Sequence, residues 1–248
     1  MTESTIDNSL SLKARVAGFT WLVTFITGAF AMIIGGRFVV NGDAAATAAN
    51  ILAHESAFRL GMAGNLVATV CYLTATLLVY ELLKPVNRTV SLLAAFFSLI
   101  GCGLGAFVVL LNFAPLTLLG GASYLSVFNT EQLQALVLTS FRLSARANEV
   151  ALVFFGLHIL LGGSLVIASD FLPKVLGFLL AIGGLCYLIN SFASFLAAPF
   201  ARYFFPVILL PAFIAELFFS LWLLVKGVNT QRWEERSAPR AALDPIAT

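Results

Sequence analysis

The stretch from Ala147 to Ala168 constrains this chain more than any other. It is apolar and long enough to cross a bilayer as a helix, which takes about 20 residues, yet it carries His158 near its middle. An ionisable side chain at that depth costs about 3 kcal/mol or more in hydrocarbon, so it faces a protein interior or a wet cavity. His158 is therefore the first functional candidate.

The same test applied along the chain gives six spans, at about 16–40, 56–83, 90–119, 147–168, 172–197 and 207–225. Composition agrees, since the chain is 60% hydrophobic, 10% charged and has a mean hydropathy of +0.98. A water-soluble surface needs about a quarter of its residues charged, so water is not the main solvent here. The net charge of +2, without a dense basic block, excludes nucleic acid as an expected partner.

The fold class that follows is all-α, a polytopic membrane helix bundle. Two short interfacial helices are expected beside the six spans, on the non-cytoplasmic side. One runs from Ala44 to His54 behind an N-cap at Asp43; the other runs from Glu131 to Ala145 behind the start signal Thr130-Glu131-Gln132. Residues 1–15 and 226–248 read as flexible polar termini around one domain, 16–225. Lys13, Arg15 and Ala29-Phe30-Ala31 have the ingredients of a cleaved leader, but the apolar run continues through Met32, Ile33 and Ile34 and is read as a span.

An even number of spans puts both termini on one side. That side carries Lys13, Arg15, Lys84, Arg88, Lys174, Lys226, Arg232, Arg236 and Arg240, and the other carries Arg37, Arg59, Arg142, Arg146 and Arg202. Basic residues concentrate in the cytoplasm, so the termini are expected there and the protein in the cytoplasmic membrane.

Small residues on one face let helices approach each other in lipid. Such stripes are Ala17, Thr24, Gly28, Ala31 and Gly35 in the first span and Ala94, Ser98, Gly101, Gly105 and Asn112 in the third, where Gly101-x-x-x-Gly105 predicts a close crossing. Gly101-Cys102-Gly103-Leu104-Gly105 follows no strand and is not read as a nucleotide loop. Cys71, Cys102 and Cys186 lie in apolar runs without paired spacing, so they read as packing residues, and neither metal nor cofactor is expected. A haem between His54 and His158 is not expected either, because their depths differ by roughly 10 to 15 Å. Cys71-Tyr72-Leu73 and Cys186-Tyr187-Leu188 stand where an inverted repeat of three helices would put them.

Depth counted along the spans puts Asn65, Asn112 and Asn190 in the outer half and His158 and Glu216 near the midplane. The simplest arrangement is one polar cavity open outward, with His158 and Glu216 at its floor. Glu55 with Arg59 and Arg146 with Glu149 stand at its rim, as interfacial ion pairs or as a guide for an anionic group. The expected ligand contacts are Asn65, Asn112, Asn190, Arg59, Arg146 and Glu149. Membrane lipids are the expected surroundings, and a hydrophobic or amphipathic small molecule, such as a lipid or isoprenoid, is the expected ligand.

Two other functions fit the same residues. In an acid/base enzyme acting on a lipidic substrate, Glu216 is the acid and His158 its base or hydrogen-bond partner. In a small proton-coupled transporter, Glu216 carries the proton and Pro206 and Pro211 let the last span bend. An accessory role needs neither.

Four runs carry a family resemblance: GDAAATAANILAHESAFRLG at 42–61, LLKPVNRTVSLLAA at 82–95, LVFFGLHILLGG at 152–163 and FLPKVLGFLLAIGGLCYLINSFASF at 171–195. With them the chain resembles, from about Ala14 to Val225, an uncharacterised family of bacterial integral membrane proteins defined by a domain of unknown function. The resemblance implies a bacterial multi-spanning protein and no particular activity. It also implies that an aspartate is common where Asn190 stands here, so a carboxylate role does not carry over to that position.

Overall fold

The computed structural model describes residues 3–197 and 207–238. The loop expected at 199–206, with Arg202 and Pro206, and the tail beyond 238, with Arg240, lie outside the described residues. The helices are α1 (Glu3–Gly36), α2 (Ala44–Ala53), α3 (Glu55–Leu83), α4 (Arg88–Leu119), α5 (Thr130–Ala168), α6 (Lys174–Leu196), α7 (Leu210–Val225) and α8 (Thr230–Ser237), with 3₁₀ turns at Ser123–Val127 and Val207–Leu209. Among the described residues six helices are long and apolar enough to cross a membrane: α1, α3, α4, α5, α6, and α7 with the turn before it. Large apolar side chains such as Ile26, Val70 and Leu110 are more than 60% exposed. Apolar exposure on this scale suits a surface solvated by lipid.

The helix starts follow local chemistry. The Asp43 carboxylate accepts from the Ala46 amide at 2.8 Å, which caps α2 as the sequence suggests. At α5 the Asn129 side chain accepts from the Gln132 amide at 2.8 Å, and the Gln132 side chain accepts from the Asn129 amide at 2.9 Å. This reciprocal pair is a capping box.

Three elements depart from the sequence reading. The helix of the first span begins earlier than expected: α1 already starts at Glu3 and runs to Gly36. Leu10, Ala14 and Ala17, spaced along one helical face, are buried, so packing rather than hydropathy fixes that turn. The segment Glu131–Ala145 is not a separate interfacial helix but the beginning of α5, a single helix of 39 residues. No glycine or proline stands between Thr130 and Phe155 to stop it. Its length, about 58 Å at 1.5 Å per residue, exceeds a hydrocarbon core of about 30 Å. Finally, the tail read as flexible contains α8, capped by Asn229, whose side chain accepts from the Arg232 amide at 3.1 Å. The Trp233 indole donates to the Leu82 carbonyl at 2.8 Å, and Arg232 and Arg236 donate to the Asp170 carbonyl and carboxylate at 3.0 and 3.2 Å.

Contacts group the chain into two compact units. The first comprises Met1–Leu22, Thr74–Ser98 and Phe155–Thr248, and the second Val23–Leu73 and Leu99–Phe154. In the second, Phe38, Ile51, Phe58, Met62, Val109 and Val137 form an apolar core, with Phe58 edge-on to Phe38 and to Phe141. Thr47 ties α2 into this unit, accepting from the Val40 amide at 3.0 Å and donating to the Asp43 carbonyl at 2.8 Å.

In the first unit, helices meet backbone to backbone. A Cβ placed on Gly163 would stand 2.7 Å from the Gly177 carbonyl oxygen, and one on Gly184 would stand 2.6 Å from the Leu160 nitrogen and 2.7 Å from the Gly156 carbonyl oxygen. Two glycines seven residues apart on α5, Gly156 and Gly163, thus face two seven residues apart on α6, Gly184 and Gly177, in antiparallel register. A seven-residue period keeps one seam in contact as the helices wind around each other with a left-handed twist. The same contact recurs where Gly183 meets Ala212 on α7 and where Gly18 meets the Ser220–Leu224 turn. The close crossing expected at Gly101-x-x-x-Gly105 is not formed at Gly105, whose Cβ would meet only the Thr69 hydroxyl, at 4.0 Å. Gly28 and Gly35 have open space at that position.

Gly163→Ala and Gly184→Ala are each expected to destabilise the detergent-solubilised protein by about 1–3 kcal/mol, because backbone atoms cannot give way. Gly28→Ala is expected to be neutral. Equal melting temperatures for all three variants would refute the seam.

Candidate functional site

Glu216 lies on α7 and is 3% exposed. Both carboxylate oxygens receive donors: the Tyr187 hydroxyl reaches Oε1 at 2.7 Å from α6, and the Trp21 indole N–H reaches Oε2 at 3.1 Å from α1. Neither donor carries a charge. One acidic side chain therefore joins three helices of the first unit, and Trp21 is further fixed by an edge-on contact with Phe219, one turn along α7 from Glu216.

His158, on α5, is 4% exposed. Its Nδ1 lies 2.9 Å from the Ala94 carbonyl oxygen on α4. A carbonyl only accepts, so Nδ1 carries the hydrogen in this geometry. The imidazole and the Trp21 indole are 6.3 Å apart between ring centroids, at 30°. Trp21 thus stands beside both ionisable groups, bonded to one and close to the face of the other.

Two small cavities flank His158, each of about 10 Å³. That is about the room of one water molecule. Both border Val79, Leu83, His158 and Gly162. Of these, Val79 and Leu83 belong to the last turns of α3, next to the α3–α4 turn. Side chains from α1, α3, α4, α5, α6 and α7 line these two gaps.

The other predicted contacts distribute as follows. Asn190, on α6, is 5% exposed and belongs to the first unit with His158 and Glu216. Ser191 beside it is fully buried, and its hydroxyl finds no partner among the described residues. Asn65 and Asn112 belong to the second unit. The Asn65 amide donates to the Gly61 carbonyl of its own helix at 3.4 Å, and Asn112 Oδ1 is buried without a partner among the described residues. Arg59 pairs with Glu55 and Arg146 with Glu149, each at 2.7 Å. Both arginines are exposed, and each pair lies within one helix. His54 turns its Nδ1 to the Asn50 carbonyl at 3.2 Å. Pro211 sits in the first turn of α7, where proline starts a helix rather than bending one.

Trp21 and Tyr187 escaped the sequence reading. With the first span placed at 16–40, Trp21 falls near its end, where indoles sit at a membrane interface. In α1, Glu3–Gly36, it is central and buried, and there an indole N–H needs an acceptor.

The chain matches the family described as domain of unknown function DUF4386 over residues 16–227. It belongs to that family. This DUF4386 protein is also similar to an uncharacterized protein of Archaeoglobus fulgidus, 27% identical over 156 residues, covering 62% of this chain and 75% of that one. No solved structure matches it. Membership accords with six candidate spans and brings no activity with it.

Removing one donor from the buried carboxylate, by Trp21→Phe or Tyr187→Phe, is expected to cost about 1–3 kcal/mol in thermal unfolding. A double-mutant cycle of Tyr187→Phe with Glu216→Ala isolates the bond. Additive losses would show that it contributes nothing.

Proposed function

We propose that this DUF4386 protein is a proton-coupled membrane protein that binds a hydrophobic or amphipathic small molecule, with Glu216 as the proton-carrying group. The observation that carries this reading is a carboxylate deep in a bundle of candidate spans, held by two neutral donors from two other helices. Charge is expensive at that depth, so gain and loss of a proton there shifts the energy of the whole three-helix junction. Deprotonated, Glu216 accepts from Tyr187 and Trp21 together; protonated, it has its own O–H to place, and the bond to the protonated oxygen weakens. Because the donors sit on α1 and α6 and the carboxylate on α7, that weakening bears on helix contacts. The buried Asn190 and Ser191, within one turn of Tyr187 on α6, supply polar groups for the ligand's polar end.

The ligand is sought by mass spectrometry of small molecules that stay bound through mild detergent extraction. In proteoliposomes, movement of that molecule is expected to respond to an imposed pH gradient in the wild type and to lose the response in Glu216→Gln. Movement indifferent to the gradient in both would end the proposal. Chemical conversion of the molecule would point instead to acid/base catalysis by Glu216 and His158.

The orientation proposed is with both termini in the cytoplasm and the protein in the cytoplasmic membrane, supported by nine basic residues on the terminal side against five on the other. A reporter fused after Thr248 that is active only in the cytoplasm is the expected result; activity only outside would reverse the orientation.

A further inference from the structure

The two cavities at His158 are equal in size and share Val79, Leu83, His158 and Gly162, yet their remaining walls differ in chemistry. One is completed by Trp21, Ile159, Val166, Leu180 and Phe219. Apart from the indole, which is committed to Glu216, these are hydrocarbon or ring faces, and a cavity so lined stays dry. The other lies among α3, α4 and α5 and is completed by Thr76, Tyr80, Ser91, Ala94, Ala95 and Leu165.

Three hydroxyl-bearing residues therefore border the second cavity, and two of their hydroxyls are already oriented. The Ser91 hydroxyl donates to the Tyr80 carbonyl at 3.2 Å, which leaves its oxygen lone pairs as acceptors. The Thr76 and Ser98 hydroxyls share one hydrogen bond at 2.7 Å, which leaves the pair one further O–H to donate. A buried water needs two to four polar partners and about this much room. Gly162 borders this space as well as its neighbour, and a Cβ there would meet nothing within 4 Å.

We propose that the cavity among α3, α4 and α5 is a hydration site, in which one water molecule is held by the hydroxyls of Ser91 and Thr76 beside His158, while its neighbour against Trp21 and Phe219 is dry. The site gives the His158 ring polar access from the side of the α3–α4 turn. The water rests on the cavity alone. Its use as an entrance for protons rests on the proton-coupled reading above.

Hydroxyl-radical footprinting of the purified wild type tests this, because brief radiolysis oxidises buried side chains that touch an ordered water and spares dry ones. Trp21 and His158 are both nearly inaccessible, at 2% and 4% exposure, and tryptophan is intrinsically the more reactive. The expected result is inverted, with His158 oxidised faster than Trp21. In Gly162→Ala, which adds a methyl at the shared wall, and in Ser91→Ala, which removes a partner, His158 oxidation is expected to fall on the order of tenfold while Trp21 stays slow. The Gly162 methyl has room, so that variant is expected to fold; an unchanged melting temperature confirms it. Trp21 oxidised as fast as His158, or His158 oxidation unaffected by either substitution, overturns the proposal. Glu216→Gln separates the two ideas: fast His158 oxidation there, with proton coupling absent even in the wild type, upholds the water and removes only the coupling.

Discussion

The first unit depends on how closely backbones come together. Between two helices in lipid there is little hydrophobic gain, since lipid tails are as apolar as leucine, so association rests on packing and on hydrogen bonds across the seam. At Gly163 with Gly177 and Gly156 with Gly184 the side chains are absent and each helix presses on the other's peptide groups. The α5–α6 pair sets the position of Tyr187 and His158, one on each helix, and the Gly183–Ala212 and Gly18–Ser220 contacts bring α7 and α1 to the same place.

On that scaffold a carboxylate can be buried at tolerable cost. Glu216 would be prohibitive on a lone helix, but here its oxygens meet the Tyr187 and Trp21 donors at hydrogen-bond distance. The same bonds make the junction sensitive. A group that is satisfied only when three helices are in register reports any change in register, and any change in its protonation is felt by all three. His158, turned toward the Ala94 carbonyl and lying beside Trp21, is the second ionisable group at this junction. Two water-sized gaps lie beside it, one bordered by hydroxyl-bearing residues and one lined by hydrocarbon and ring faces.

Much of this was legible in the chain because it is local. Asp43 before an alanine-rich segment, Thr130-Glu131-Gln132 before α5, and apolar runs of spanning length each announce themselves within a few residues. His158 and Glu216 were legible for another reason, since an ionisable residue inside an apolar run has no cheap alternative to burial in protein. What escaped depends on distant partners. Leu10 and Ala14 belong to α1 through packing, and Trp233 anchors α8 to Leu82, 151 residues away in the chain. The glycine pairs seven apart in α5 and α6 were visible as letters, but nothing in one helix says that the other presents its own pair in matching register.

By itself, then, the sequence determined that this is a bundle of membrane-spanning helices with a carboxylate and an imidazole in its interior, because hydropathy and the cost of buried charge act residue by residue. Only the tertiary structure decided that Trp21 and Tyr187 are the donors to Glu216 and that His158 turns to Ala94. It also decided that the gaps beside His158 lie toward the α3–α4 turn. Those facts depend on which peptide groups come within hydrogen-bond or van der Waals distance across helices, and that is set by the glycine seams rather than by any single span.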